Sequence, residues 1–403
     1  MTSKHSPRPL EGLRVLETGQ LLAGPFTGCI LGYYGAEVIK VEPPGEGDPL
    51  RKWRVLDENG TSYWWRSLAR NKKCITANLR TEQGRELVRQ IAVKSDVLVE
   101  NFKPGVMEKW GLGPADFARS NPRLIYARIS GYGQDGPYAG KPGFASVCEG
   151  LGGLRYVNGF PGEAPVRPNL STGDTLAGLH AALGIVMACV HKLNNPDAPG
   201  QVIDTALYEG VFNLLEGVVP EYDGAGVVRQ PSGSTITGIV PTNTYRCSDG
   251  KFIIIGANGD SIFKRLCDCL GRPDMAADQR LADNSGRVKH EAEIDAVITQ
   301  WCGGMASGAA LQLLENSSVP SGPIYSVADM FADAHFRARG LFEEVDVNGG
   351  TLKIPALVPK LSATPGRTDW AGPELGAFNA QIYQGLLGLS EGELARLKAS
   401  GVI

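Results

Sequence analysis

The sequence predicts an α/β protein built on a doubly wound parallel sheet, and three observations carry that reading. Short apolar, β-branched runs alternate with helix-length segments through the first third of the chain, the pattern of successive βαβ units. Glycine-rich or basic stretches flank several of those runs, where an open α/β sheet binds its ligands. The chain has 403 residues, more than one hydrophobic core usually serves, so a second domain is expected.

The elements follow in order. L-R-V-L-E-T (13–18) reads as a strand, Ala23 to Tyr34 as a helix, and A-E-V-I-K-V-E (36–42) as the next strand. C-I-T-A-N-L (74–79) reads as a third strand, before a helix with Thr81 at its N-cap. D-V-L-V-E-N (96–101) and L-I-Y-A-R-I-S (124–130) continue the pattern. A long helix at about 175–193 ends at the turn-rich N-N-P-D-A-P-G. Residues 201–215 then read as a strand running into a helix, and 218–245, rich in Gly, Ser, Thr and Pro, as a long loop. K-F-I-I-I-G-A-N opens a mostly helical region to about 318. The tail from Ser321 holds short strands and a last helix with a Ser390–Glu393 capping box. The boundaries drawn are 1–200 for the large domain, 201–320 for a smaller α+β domain with its linkers, and 321–403 for the tail.

Composition narrows the function. With 42% hydrophobic and 21% charged residues the chain is that of a folded globular protein. A net charge of −3 argues against gripping nucleic acid through bulk positive charge. The N-terminus M-T-S-K-H-S-P-R-P-L lacks the apolar core of a secretory signal, and no uninterrupted apolar run reaches the ~18 residues of a membrane span, so a soluble cytoplasmic protein is expected. The eight cysteines lack zinc-site spacing, and Cys267 and Cys269, two apart on a predicted helix, do not face each other; buried reduced thiols are the reading. The five histidines form no H-E-x-x-H, so no metal is expected. The turn after the first strand, T-G-Q-L-L-A-G-P, lacks the G-x-G-x-x-G of dinucleotide folds, and neither G-x-x-x-x-G-K-[ST] nor G-x-S-x-G occurs.

One carboxylate stands out. In N-L-S-T-G-D-T-L-A-G-L-H-A-A-L-G (169–184), Asp174 lies at the start of a helix whose apolar face is marked by Leu176, Leu179, Leu183, Val186, Met187 and Val190. Unpaired N–H groups and the helix dipole favour negative charge there, so Asp174 is either a capping residue or a reactive one. His180 on the same helix reads as a packing or solvent-facing residue. Four further stretches invite a ligand: V-I-K-V-E-P-P-G-E-G-D-P-L-R (38–51), R-N-K-K-C (70–74), V-E-N-F-K-P-G-V-M-E-K-W-G-L (99–112) and I-S-G-Y-G-Q-D-G-P (129–137). Each alone is equally a solvated turn. Together they supply glycines for close backbone approach and cations for an anionic ligand.

In this order, and followed by G-D-T-L-A-G-L-H-A-A-L-G-I, these stretches resemble the class III CoA-transferases, the CaiB/BaiF family. The resemblance runs from L-E-G-L-R-V-L-E (10–17) to the final S-G-V-I. It implies transfer of coenzyme A between an acyl-CoA and a free carboxylate, with Asp174 as the nucleophile that carries CoA as a thioester. It implies CoA contacts from Gln20, Leu22 and Ala23 after the first strand, from Lys72 and Lys73, from Lys109, which stands where the oxalate branch has an arginine, and from Tyr132. It also implies a Rossmann-like large domain built from both chain ends, a small domain, and a homodimer of two interlocked rings, with acyl-CoA and small carboxylates as the only partners. Pro43 and Ser130 depart from the oxalate branch, which carries basic residues at both places. G-I-V-P within 231–245 and P-V-R-P at 165–168 look like the branch acting on succinate, glutarate and related dicarboxylates, with Arg167 or a residue of 231–245 holding the distal carboxylate. The same fold hosts 2-methylacyl-CoA racemases, whose His-Asp pair is replaced here by Phe144 and Ala145. A non-catalytic CoA-binding protein is the remaining alternative, and Asp174 speaks against it.

Overall fold

The computed structural model describes residues 6–403. Its first strands and helices run β1 (Arg14–Glu17), α1 (Ala23–Tyr33), β2 (Glu37–Glu42), α2 (Tyr63–Leu68), β3 (Lys72–Thr76), α3 (Glu82–Val93), β4 (Val97–Glu100), α4 (Val106–Lys109), β5 (Ile125–Ser130) and α5 (Ala145–Leu151). After a single turn, α6 (Leu154–Val157), come α7 (Thr172–Asn194), β6 (Val202–Ala206) and α8 (Leu207–Phe212). The six strands form one parallel sheet in the order β3-β2-β1-β4-β5-β6. This is the doubly wound order, with its reversal point between β1 and β4. The expected strands and helices of this half are present, with β3 starting two residues before the sequence reading placed it. The Thr81 hydroxyl accepts the Gly84 N–H at 3.1 Å, so α3 has the cap its sequence promised.

Burial explains why these runs form strands. β4 is buried along its whole length and β5 likewise, since helices cover both faces of the sheet. One side packs on α3 and the C-terminal helices, around Leu16, Ile39, Ile75, Val88, Ile91 and Leu98. The other packs on α1 and α7, around Val15, Val38, Val97, Ala127, Ala181 and Ile185.

Helix α7 corrects two expectations. It packs through its small residues, Gly173, Ala177, Gly178, Ala181, Ala182 and Ala188, while Leu179, Leu183, Met187 and Val190 are exposed. Small residues let two helices close together: a Cβ on Gly178 would lie 2.7 Å from the Ala23 carbonyl oxygen of α1. Apolar periodicity therefore marked the face turned away from the chain's own core. By length and composition α7 is also long and apolar enough to cross a bilayer, with mean hydropathy 1.6 over its most apolar 18 residues and a third of that window buried. Thr175, His180 and glycines break up its apolar sequence, so no single unbroken run has that length.

The chain resolves into two compact units. The first joins the chain up to Leu154, Pro168–Glu216 and Phe336–Ile403; the second joins Arg155–Arg167 to Gly217–His335. The sequence boundaries stood at 200 and 320. The second unit holds α9 (Val218–Ala225) within what the sequence suggested was loop, then a three-stranded antiparallel sheet of β7 (Thr242–Arg246), β8 (Phe252–Gly256) and β9 (Ser321–Pro323). Between β8 and β9 run α10 (Asp260–Cys269), α11 (Pro273–Ala277), α12 (Asn284–Lys289), α13 (Glu291–Gly303) and α14 (Ser307–Asn316), and α15 (Val327–Ala332) follows β9. Its core gathers Tyr245, Ile253, Phe263, Leu266, Ile294 and Leu314. A short helix α16 (Ala334–Ala338) leads back to the first unit, which the chain completes with the hairpin β10 (Phe342–Val347) and β11 (Gly350–Pro355), then α17 (Asn379–Gly385) and α18 (Glu391–Ala399). The Ser390–Glu393 capping box is formed. The C-terminal tail joins the first unit's core, with Ile382, Tyr383, Val402 and Ile403 buried against the α3 side of the sheet.

Candidate active site

At the reversal point of the sheet, the segments following β1, β4 and β5 open onto a cleft of about 180 Å3. Gln20, Leu22 and Ala23 line it after β1; Asn101, Phe102 and Lys103 after β4; Ser130 and Gly131 after β5. The first turn of α7 supplies Asp174. Among the described lining residues Asp174 is the one carboxylate, and Lys103 and Lys141 are the two cations. An adjoining cleft of about 330 Å3 shares Gln20 and Phe102, and is lined further by Pro43, Asn78, Arg80 and Trp110.

Asp174 is the third residue of α7 and half-buried, and the N-cap position belongs to Ser171. The positive end of a 23-residue helix surrounds it, which favours the ionised carboxylate. The residue before it is held in place: Glu149, fully buried, accepts the Gly173 N–H at 3.2 Å. A Cβ at Gly173 would sit 3.3 Å from both Ala145 and Glu149, so this turn packs tightly on α5. Beside it the Cys148 thiol donates to the Gly131 carbonyl at 3.2 Å. Burial pushes that thiol up to about 11; a hydrogen bond from Tyr132 opposes the rise and the Asp174 carboxylate adds to it. The thiol is therefore neutral.

The loop after β1 is fixed with equal care. Asn101 clamps Gln20 through both main-chain groups, accepting its N–H and donating to its carbonyl, each at 2.8 Å. A Cβ at Gly19 would lie 2.7 Å from the Asn101 oxygen, so a glycine precedes the clamp. Asn101 and Phe102 are steadied by Glu100 at the end of β4, whose carboxylate accepts from Phe102 N at 2.7 Å and from Arg128 Nε at 2.8 Å. Arg128 reaches on to Glu108 at 2.6 Å. Burial pushes the Glu100 carboxyl up to about 7, against the opposing bond from Arg128.

The remaining sequence candidates fall elsewhere. Lys72 and Lys73 begin β3 rather than follow it. Lys72 is fully buried, 2.8 Å from the Glu17 carboxylate and donating to the Pro25 carbonyl at 2.6 Å. Lys73 pairs with Glu37 at 2.6 Å. Neither lines a cleft, and a basic pair ahead of a parallel strand starts from the edge opposite the ligand crevice. Lys109 is exposed at the end of α4 and also lies outside both linings. Tyr132 follows the lining residue Gly131 and packs on Tyr138 and Tyr208, at ring distances of 6.1 and 6.3 Å. Arg167 is exposed in the second unit. Ser130, at one of the two departures, locks the turn after β5 by accepting the Gly133 N–H at 3.0 Å. His180 is satisfied within the fold: its Nδ1 lies 2.8 Å from the Leu176 carbonyl and its Nε2 3.2 Å from the Asn213 amide. Asn101, Glu149, Arg80 and Lys141 were not singled out in the sequence. For Asn101 and Arg80 the signal was available, since each lies just past the end of a parallel strand. Among the described residues no His, Cys, Asp or Glu group is arranged to hold a metal ion.

The model of CoA-transferase family III matches residues 10–379. The chain belongs to this family. Its relatives include a succinyl-CoA–D-citramalate CoA-transferase of Chloroflexus aurantiacus, 45% identical over 404 residues and covering 100% of both chains. A succinate–glutarate CoA-transferase of Agrobacterium fabrum is 34% identical over 93% of this chain and 94% of its own length. Among solved structures, a CaiB/BaiF family protein from Brucella suis superimposes with a TM-score of 0.82 at 35% identity, covering 94% of this chain and 100% of that one. The family III fold thus accounts for the six-stranded parallel sheet, and the enzyme is a CoA-transferase.

Proposed function

We propose that this enzyme moves CoA from succinyl-CoA to a small dicarboxylate through a thioester on Asp174. The observation that carries the reading is the cleft at the sheet's reversal point with Asp174 as its one described carboxylate. The relatives' activities on citramalate and glutarate support the substrate class.

The chemistry needs no net proton. An Asp174 oxygen attacks the thioester carbonyl, the C–S bond breaks, and CoA leaves as thiolate with an acyl–aspartyl anhydride behind it. The thiolate attacks the aspartyl carbonyl and releases succinate, leaving CoA on Asp174. The acceptor carboxylate then attacks that carbonyl, expelling the thiolate and forming a second anhydride. Attack of the thiolate on the acceptor's acyl carbon gives the new thioester and returns Asp174 as carboxylate. A carboxylate is a weak nucleophile, so orientation supplies much of the rate. The Glu149 and Asn101 contacts serve that need. Lys103, Lys141 and Arg80 offer cations to the phosphates of CoA along the joined clefts.

The reading extends to assembly. Leucines, valines and a methionine of α7 are exposed, with Phe144 just before α5 and Val147 within it, and a second copy in an interlocked homodimer would cover them. Such an enzyme would work in the cytoplasm, where its substrates are soluble. Incubation with succinyl-CoA and a panel of mono- and dicarboxylic acids, read by mass for new CoA thioesters, tests the reaction. Products confined to small dicarboxylates support it. Loss of configuration in a chiral 2-methylacyl-CoA, with no exchange, would overturn it.

A further inference from the structure

A group of buried charges lies directly under the loop that follows β1. Glu17, Lys40, Asp48 and Lys72 are each fully buried. The Lys40 ammonium lies 2.9 Å from Asp48 and 3.3 Å from Glu17, and Lys72 lies 2.8 Å from Glu17. Burial alone would strip the proton from Lys40, but Asp48, Glu17 and Glu42 outweigh it and raise its pKa. The Lys40 ammonium is thus kept among carboxylates, at a desolvation cost that apolar residues of the same volume would avoid.

The chain obtains a fixed main-chain path in return. The Lys40 ammonium donates to the Gly19 carbonyl. Both Asp48 oxygens accept the Leu21 N–H, at 3.1 and 3.2 Å, and one also accepts the Leu50 N–H at 3.0 Å. Between them Asn101 holds Gln20. Leu21 has a φ of +65°, a left-handed conformation that is strained for a residue with a side chain and persists only where its surroundings impose it. The two successive peptides Gly19–Gln20 and Gln20–Leu21 are thus gripped by the side chains of Lys40, Asn101 and Asp48, immediately before Leu22 and Ala23, which line the cleft at the start of α1.

We infer that Lys40 and Asp48 are positioning residues for acyl transfer, holding the strained Gly19–Leu21 turn so that Leu22 and Ala23 meet the acyl group bound beside Asp174. The inference rests on the cleft being the site of transfer. Without the clamp, Leu21 relaxes out of the left-handed region and the turn shifts, while Arg80, Lys103 and Lys141, carried by other segments of the clefts, remain to hold CoA. The effect falls on turnover rather than on CoA binding.

The test compares Asp48→Ala, Asp48→Asn and the double variant Lys40→Met/Asp48→Leu in the full-length enzyme, with succinyl-CoA as donor. Asp48→Ala should lower kcat by about 100-fold with KM for succinyl-CoA within about threefold of wild type. Asp48→Asn keeps an oxygen for the Leu21 N–H and should restore kcat to within about tenfold of wild type. The double variant removes both charges together and leaves the Glu17–Lys72 pair, so it folds even if Asp48→Ala does not, and should show the same loss of kcat. Wild-type turnover in folded Asp48→Ala or in the double variant would overturn the inference, as would an Asn variant no better than Ala. If the wild-type enzyme itself transfers no CoA, the reading of the cleft fails instead, and the two failures are told apart by that control.

Discussion

The two units bury charge very differently. The first encloses Glu17, Lys40, Glu42, Asp48, Arg51, Asp57, Arg66, Arg70, Lys72, Glu100, Arg128 and Glu149, several of them beneath or beside the crevice at the ends of its strands. In the second, among the described residues, Arg287 is the one buried charge, in a core otherwise made of residues such as Phe263, Leu266 and Ile298. Its guanidinium donates to the carbonyls of Val240, Leu281 and Asn258 and pairs with Asp260, tying loops together around an apolar core. Both units fold, so buried charge is not what folding requires. In the first unit Arg66 and Arg70 tie down the C-terminal segment, at the Gly372 and Pro355 carbonyls, while Lys40, Asp48 and Glu100 hold the loops at the cleft.

That contrast can be broken or sharpened by substitution. Asp174→Ala removes only a half-buried side chain in the first turn of α7 and should cut transfer by at least about 1,000-fold, while the melting temperature stays within about 2 °C. A large loss of stability instead would make Asp174 a structural cap. Lys40→Met leaves Asp48 without its cation and should cost about 3–5 kcal/mol in denaturant unfolding. Arg287→Met orphans three carbonyls but no buried anion, since Asp260 is exposed, and should cost about 2–3 kcal/mol. CoA binding by the folded fraction, read by calorimetry, should be unchanged in Arg287→Met, because both clefts belong to the first unit. Weakened CoA binding there would dissolve the division of labour between the units.

The smallest effect concerns Glu100. Its carboxyl is raised to about 7 in the folded protein, above its unfolded value, so its contribution to stability is fully present below the unfolded pKa and is lost as pH rises through 7. The stability gap between wild type and Glu100→Gln should therefore narrow from pH 6 to pH 8, by about 2 °C in melting temperature. A gap that widens would place the proton elsewhere.

Much of the first unit was legible in the sequence because a two-sided parallel sheet writes itself plainly. V-L-V-E and I-Y-A-R-I-S are continuous buried runs, and Thr81 announces its helix. Asp174 was visible as a carboxylate at a helix start. Three things were not. Lys72 looked like a ligand-binding cation because charge pattern cannot say which edge of a sheet a residue reaches or that Glu17 waits 55 positions earlier. The exposed stripe on α7 looked like its packing face because periodicity reports a face without saying what covers it. Helix α9 was hidden in a Gly- and Pro-bearing segment, V-V-P-E-Y-D-G-A, whose composition favours a loop. The first two omissions concern long-range partners, and spacing along a chain carries no record of those.

The central claim, that Asp174 carries CoA, is open to one direct measurement. The enzyme incubated with succinyl-CoA, without acceptor, is quenched in acid, digested and weighed by mass spectrometry. The account predicts a CoA adduct on the peptide containing Asp174, formed with release of succinate and discharged when a dicarboxylate is added. A CoA adduct on any other residue, or exchange that proceeds while Asp174 stays unmodified at every time point, would contradict it.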